Sequence, residues 1–164
     1  MAIVKSAHEL YVNNSDVVNA LNYICDLYKC DNCIYSGRNI SMLDMFDPNL
    51  FAIQFLAVQD KRRFTKRIHH VIISFDQISD SPDLNFCYQV GMAVTGLYQN
   101  YQSVFTVHED KNFLHLHIIF NNCSIFPDVK NLTSYFSKYA IQNLVDKMIF
   151  AHLGIPDLYL MKCC

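Results

Sequence analysis

Apolar and polar positions change period several times along the chain. Ala2 to Lys5 reads as a short strand. Val17, Val18, Leu21, Ile24, Cys25 and Tyr28 then recur at helical spacing, with Ser15 as the expected N-cap. That helix is predicted to run to about Tyr28, and Tyr23 falls off its apolar stripe, on the flank with Asn19 and Asp16. Cys33 to Ile40 reads as extended, with Gly37 at a turn or bulge. Pro48 suits a first helical turn, and Asn49 to Val58 continues at helical spacing. Ile68 to Phe75 is strongly β-forming, and Asp80-Ser81-Pro82 opens a helix carried by Phe86, Val90, Val94 and Leu97. Tyr101 to His108 and Phe113 to Asn121 read as two strands of a hairpin, with Glu109 to Asn112 as a four-residue loop. From Asn131 a last helix takes its core contacts from Leu132, Phe136, Tyr139, Ile141, Leu144, Val145, Met148 and Ile149, and ends at Gly154 and Pro156. The expected fold class is α+β: a central antiparallel sheet carrying the hairpin, with helices packed mainly on one face.

The chain has 164 residues, with no repeat and no Pro/Gly-rich linker, which implies one domain over 1–164. Apolar residues make up 52% and charged residues 17%, enough for a sizeable core and too apolar for disorder. Thirteen Lys/Arg against fifteen Asp/Glu leave a formal charge of -2, so a nucleic-acid partner has to be argued from local clustering. No apolar run approaches the roughly 20 residues of a membrane span, and the N-terminus lacks a signal-peptide pattern. Seven cysteines, an odd number without an export signal, are expected as reduced thiols in the cytoplasm. Cys30 and Cys33 form one C-x-x-C; zinc would need two further ligands at matching spacing.

The chemistry concentrates in the hairpin. Side chains alternate across a strand, so His115, His117 and Asn121 share one face while Leu114, Leu116, Ile118 and Phe120 share the other. The apolar set buries; the first presents two imidazoles about 7 Å apart at Cα. The four-residue loop pairs His108 with Phe113, Thr106 with His115 and Val104 with His117, which brings His108 onto the same surface, diagonal to His115. A slip of one residue would send His108 to the other face. Three of seven histidines thus converge within ten residues, an arrangement suited to a divalent metal with open positions.

Such a metal can polarise a phosphate oxygen, and a nearby tyrosine can then serve as nucleophile. Ten tyrosines make abundance uninformative, but Tyr23 is set apart by leaving its helix stripe. Lys61, Arg62, Arg63, Lys66 and Arg67 place five basic residues in seven positions, either as a solvated loop or as phosphate contacts. They lead into a strand on which His70, Ile72 and Ser74 share a face; Ser74 is a candidate hydrogen-bond donor to phosphate or base, and His69 is expected to be structural.

With these residues together, the chain resembles the mobilisation relaxases of the HUH endonuclease superfamily, whose His-hydrophobic-His motif corresponds to His115-Leu116-His117. The pattern His-x-Asp…His-x-His-x-x-x-Asn is similar over His108, Asp110, His115, His117 and Asn121. His70-Val71-Ile72-Ile73-Ser74-Phe75 resembles the family's His-apolar-apolar-x-Ser-Phe strand, Leu21-Asn22-Tyr23-Ile24 its tyrosine segment, and Cys33 to Asn39 the short strand that follows. The resemblance covers about residues 3 to 125. It implies that Tyr23 attacks a phosphodiester of single-stranded DNA at a transfer origin and retains the 5′ phosphate. His108, His115 and His117 would hold Mg²⁺ or Mn²⁺, with His115 also helping to take the tyrosine proton. Asp110 and Asn121 would support the histidines, and Ser74, His70, Arg38, Lys61, Arg62, Arg63, Lys66 and Arg67 would hold the strand. The chain departs from many relatives in having Phe113 for a histidine and Lys29-Cys30 for Lys-Thr. It reads as a bare catalytic domain or a shortened one, for which accessory mobilisation proteins are expected partners.

Three other readings stay open on sequence. A rolling-circle initiator or single-strand transposase would place its tyrosine after the histidines, at Tyr135 or Tyr139. A DNA-binding module could keep the fold without catalysis. A structural zinc protein would be built on Cys30 and Cys33.

Overall fold

The computed structural model describes residues 2–7, 10–26, 35–42, 47–59, 66–110 and 113–155. Five strands form one sheet: β1 (Ile3–Ser6), β2 (Tyr35–Arg38), β3 (Ile68–Ser74), β4 (Tyr101–Asp110) and β5 (Phe113–Ser124). Their order is β1-β3-β5-β4-β2, and every neighbouring pair is antiparallel. The helices are α1 (Asn14–Ile24), α2 (Pro48–Gln59), α3 (Leu84–Gly96) and α4 (Lys138–His152), with a 3-10 turn over Leu132–Ser134.

The class is α+β, but the helices divide between the two faces. Leu114, Leu116, Ile118 and Phe120 of β5 pack with Val90 and Val94 of α3 and Ile141, Val145 and Ile149 of α4. On the opposite face Ile119, Val104 and Ile68 pack with Val17, Leu21 and Ile24 of α1 and Phe51 and Phe55 of α2. The expectation of helices mainly on one face failed because the histidine face is itself apolar beyond the histidines, and that part needs its own cover.

Local chemistry sets the ends. Asp16 accepts from the backbone N–H groups of Val12 and Asn13 (2.7 and 2.8 Å), so the N-cap of α1 is Asn13, two residues before the expected Ser15. The helix ends at Ile24, with Cys25 as C-cap, and Tyr28 lies outside the described residues. Asp83 caps α3 through Phe86 N–H, and Ser137 caps α4 through Ala140 N–H. The Asn131 region is therefore a separate 3-10 turn, and Tyr139, expected in the core, lies 81% exposed.

The central hairpin is tighter than expected. Asp110 pairs with Phe113, leaving two residues between the strands in place of four. His108 consequently faces His115 directly, Thr106 faces His117, and Val104 faces Ile119. The shift is two residues, so every side chain keeps its face. On the other side of the sheet α3 comes so close that a Cβ at Gly91 would stand 2.5 Å from the Phe105 ring. Phe105 is fully buried and has nowhere to retreat. Gly91→Ala is expected to cost about 1–3 kcal/mol of stability by overpacking. Urea unfolding measures this, and an unchanged midpoint would show that the contact relaxes freely.

Candidate active site

The sheet register sets the histidines. His115 and His117 project from β5 and His108 from β4, and one nitrogen of each lies within 4.8 Å of the others. The ring centroids are 4.4 Å (His108–His117), 5.0 Å (His115–His117) and 5.4 Å (His108–His115) apart. His108 and His117 are buried and His115 is half-buried.

A backbone carbonyl fixes one of the tautomers, because a carbonyl only accepts. His108 Nε2 lies 2.7 Å from the Ile24 carbonyl and donates to it, which leaves Nδ1 as its lone-pair nitrogen. His115 Nδ1 lies 3.4 Å from the Phe113 carbonyl, a longer contact of the same kind. His117 Nδ1 lies 2.9 Å from His70 Nε2, so Nε2 is the nitrogen His117 has to offer an ion. Three imidazole donors on two rigid strands fit a divalent cation with open coordination positions.

Tyr23 stands over this cluster. Its ring centroid is 5.5 Å from His117, 6.2 Å from His108 and 6.4 Å from His70. The phenol is half-exposed, within reach of solvent and of a ligand. The position is held by the next residue: the Ile24 carbonyl, at the end of α1, accepts from both Thr106 Oγ1 (2.8 Å) and His108 Nε2. Beside Tyr23 a cavity of about 670 Å³ opens between α1 and β3, reached also by Tyr11, Asp16, Asn19, His70 and Ile72.

Residues 23–152 match the family described as relaxase, MobA/VirD2-like, nuclease domain. The chain belongs to this relaxase family. No curated protein matches it. Membership implies DNA endonuclease activity and a DNA substrate, and the matched span takes in Tyr23 and all three histidines. Among the described residues no helix is long and apolar enough to cross a membrane.

The relaxase fold distributes the remaining sequence candidates unevenly. Ser74 pairs with His115 and lies on the histidine face. His70, expected against DNA, is instead buried between His117 and Tyr11 (Tyr11 Oη to His70 Nδ1, 2.9 Å). Burial, and then the charge of His108, lowers its pKa to about 4. Asn121 has the right face but the wrong place. It sits four residues along β5 from His117, and its amide bonds Gln59, Gln102 and the Phe55 carbonyl. It anchors α2 to the sheet and does not support a histidine.

Arg38 pairs with Ser103, on the face away from the histidines, and lies against α3 at Gly96. Arg67 spends its guanidinium on the Val12 carbonyl (2.9 Å) and Gln59 Oε1 (2.9 Å), clamping the segment before α1. The charge of Lys66 acts on His69, whose side chain points to the opposite face. Lys61, Arg62, Arg63, Cys30 and Cys33, and the side chain of Asp110, lie outside the described residues. Tyr135 follows the 3-10 turn and Tyr139 belongs to α4; both elements cover the face opposite the histidines. In the sequence Phe113 stands out only as a departure from many relatives. It is 60% exposed, on the histidine face two residues from His115.

His69 is structural, as expected: it stacks on Phe136 (4.4 Å, 23°) and bonds Thr133 Oγ1 (3.1 Å). Burial, then Lys66, lowers its pKa to about 4. The unfolded chain protonates this residue near pH 6.5, before the folded chain does. Stability is therefore full above about pH 6.5 and falls as pH drops towards 4, by roughly 3 kcal/mol from this residue. His69→Phe keeps the stack, and is expected to remove that share of the pH dependence in urea unfolding from pH 7 to 4.5. An unchanged slope would contradict it.

Proposed function

We propose that the chain is a metal-dependent relaxase that nicks and rejoins single-stranded DNA at the transfer origin of a plasmid or integrative element, with Tyr23 as nucleophile. The observation that carries this reading is Tyr23, half-exposed, with its ring 5.5 Å from that of His117 over a three-histidine cluster. A pure binding module has no use for that combination.

The reaction is a transesterification. Tyr23 Oη attacks the scissile phosphorus, a new phosphorus–oxygen bond forms to the tyrosine, and the bond to the 3′ oxygen breaks. The 3′ oxygen takes a proton and leaves as a hydroxyl, while the 5′ phosphate stays on Tyr23. One phosphodiester replaces another of similar energy, so a 3′ hydroxyl can reverse the step without ATP. His108, His115 and His117 would hold Mg²⁺ or Mn²⁺, which polarises a phosphate oxygen when bound. Three imidazoles without a carboxylate favour Mn²⁺ over Mg²⁺, which prefers oxygen ligands. A coordinated imidazole has no lone pair left for a proton, so His115 is assigned to the ligand set and the Tyr23 proton leaves to water at the exposed edge.

The strand is held beside the histidines. Ser74, opposite His115, offers a hydroxyl to phosphate or base. Phe113 offers an exposed ring on which a base can stack, a contact that needs no net positive charge. Lys61, Arg62 and Arg63 supply phosphate contacts, Asp110 orients a histidine, and accessory mobilisation proteins complete the grip on DNA.

With Mn²⁺ and single-stranded oligonucleotides spanning candidate transfer origins, the protein is expected to form an SDS-stable adduct that EDTA prevents. Tyr23→Phe should lower it by about 10³-fold or more, while Tyr135→Phe and Tyr139→Phe leave it intact. An adduct that survives Tyr23→Phe, and disappears with either of the others, would transfer the role to that tyrosine.

A further inference from the structure

Tyr11 lies twelve residues before the first residue of the family match. It is buried, and its hydroxyl lies 2.9 Å from His70 Nδ1. His70 Nε2 lies 2.9 Å from His117 Nδ1. Both ring nitrogens of His70 are thus used, and the three side chains form one hydrogen-bonded line ending at a proposed metal ligand.

Such a line has two directions. If Tyr11 donates to His70 and His70 donates to His117, the proton of neutral His117 sits on Nε2, and that nitrogen cannot hold a cation. If His117 Nδ1–H donates to His70 Nε2, then His70 Nδ1–H donates to the Tyr11 oxygen and His117 Nε2 keeps its lone pair. The second direction needs a fixed acceptor at the far end. Tyr11 is held in place to be one: its backbone carbonyl accepts from Arg67 N–H at 2.7 Å, and the Arg67 guanidinium holds the Val12 carbonyl at 2.9 Å.

We propose that Tyr11 is a positioning residue which, through His70, holds His117 in the Nδ1–H tautomer and so presents Nε2 to the metal. This rests on the metal reading of the three histidines only for its consequence, since the tautomer itself is a property of the metal-free chain. Partners of this kind change metal affinity by about 10–100-fold when removed.

The decisive test is ¹⁵N NMR of the histidine rings in the metal-free full chain, paired with Mn²⁺ titration followed by EPR. His117 is expected as Nδ1–H in the wild type, and Tyr11→Phe should move it towards Nε2–H and weaken Mn²⁺ binding by about 10-fold. His70→Leu should do the same, and His70→Gln, whose amide oxygen can accept from Nδ1–H, should restore the tautomer in part. Far-UV circular dichroism checks that each variant folds, and either His70 variant decides the matter if Tyr11→Phe does not. An Nε2–H tautomer in the wild type, or an Nδ1–H tautomer and Mn²⁺ affinity unchanged in a folded Tyr11→Phe or in His70→Leu, would overturn the proposal. A wild-type chain that shows the tautomer shift in its variants yet binds no Mn²⁺ would support Tyr11 as the positioning group, and would remove the metal from the proposed function.

Discussion

Three imidazoles converge because β4 and β5 pair with His108 directly opposite His115. Two constraints hold that register. The connection between Asp110 and Phe113 leaves two residues to turn the chain. The other face of β5 carries Leu114, Leu116, Ile118 and Phe120, all buried, which a one-residue slip would turn away from their core. Tyr23 depends on the same register. Thr106 and His108 are two residues apart on one side of β4, and both donate to the Ile24 carbonyl that ends α1. Strand pairing therefore places the nucleophile candidate as well as the ligands.

Much of this was legible in the sequence, and what was not has identifiable causes. Strict alternation assigned His108, His115 and His117 to one face, and departure from a helical stripe singled out Tyr23. Alternation fixes parity but not distance. It could not separate a four-residue loop from a two-residue one, because both keep His108 on the same face. It grouped Asn121 with the histidines, although four residues of strand place it about 13 Å from His117. Helices mainly on one face is what a mixture of helical and strand periods with one clear hairpin suggests. Ile119, Val104 and Ile68 make the histidine face apolar further along, where α1 and α2 cover it. The run Lys61 to Arg67 looked like one basic patch, yet the side chain of Arg67 donates to the Val12 carbonyl and to Gln59 Oε1.

That backbone clamp belongs to a buried polar chain. Gln59 donates to Asn121 and to the Arg67 carbonyl and accepts from the Arg67 guanidinium; Asn121 in turn holds Gln102 and the Phe55 carbonyl. Each group satisfies another, which is the condition under which polar atoms can lie inside a sheet–helix interface without a large penalty. The result is a stiff seam joining α2, β3, β4, β5 and the segment that carries Tyr11. The histidine cluster sits at one end of that seam and remains open on the side of Ser74 and Phe113.

The direction of α1 has an electrostatic consequence. Its carbonyl end, not its amide end, is turned to the histidines, with Ile24 O in contact with His108. A helix C-terminus carries about half a negative charge, which attracts a nearby cation by about 0.3–1 kcal/mol and repels an anion. The backbone at this site therefore draws in a positive ion and opposes a bare phosphate.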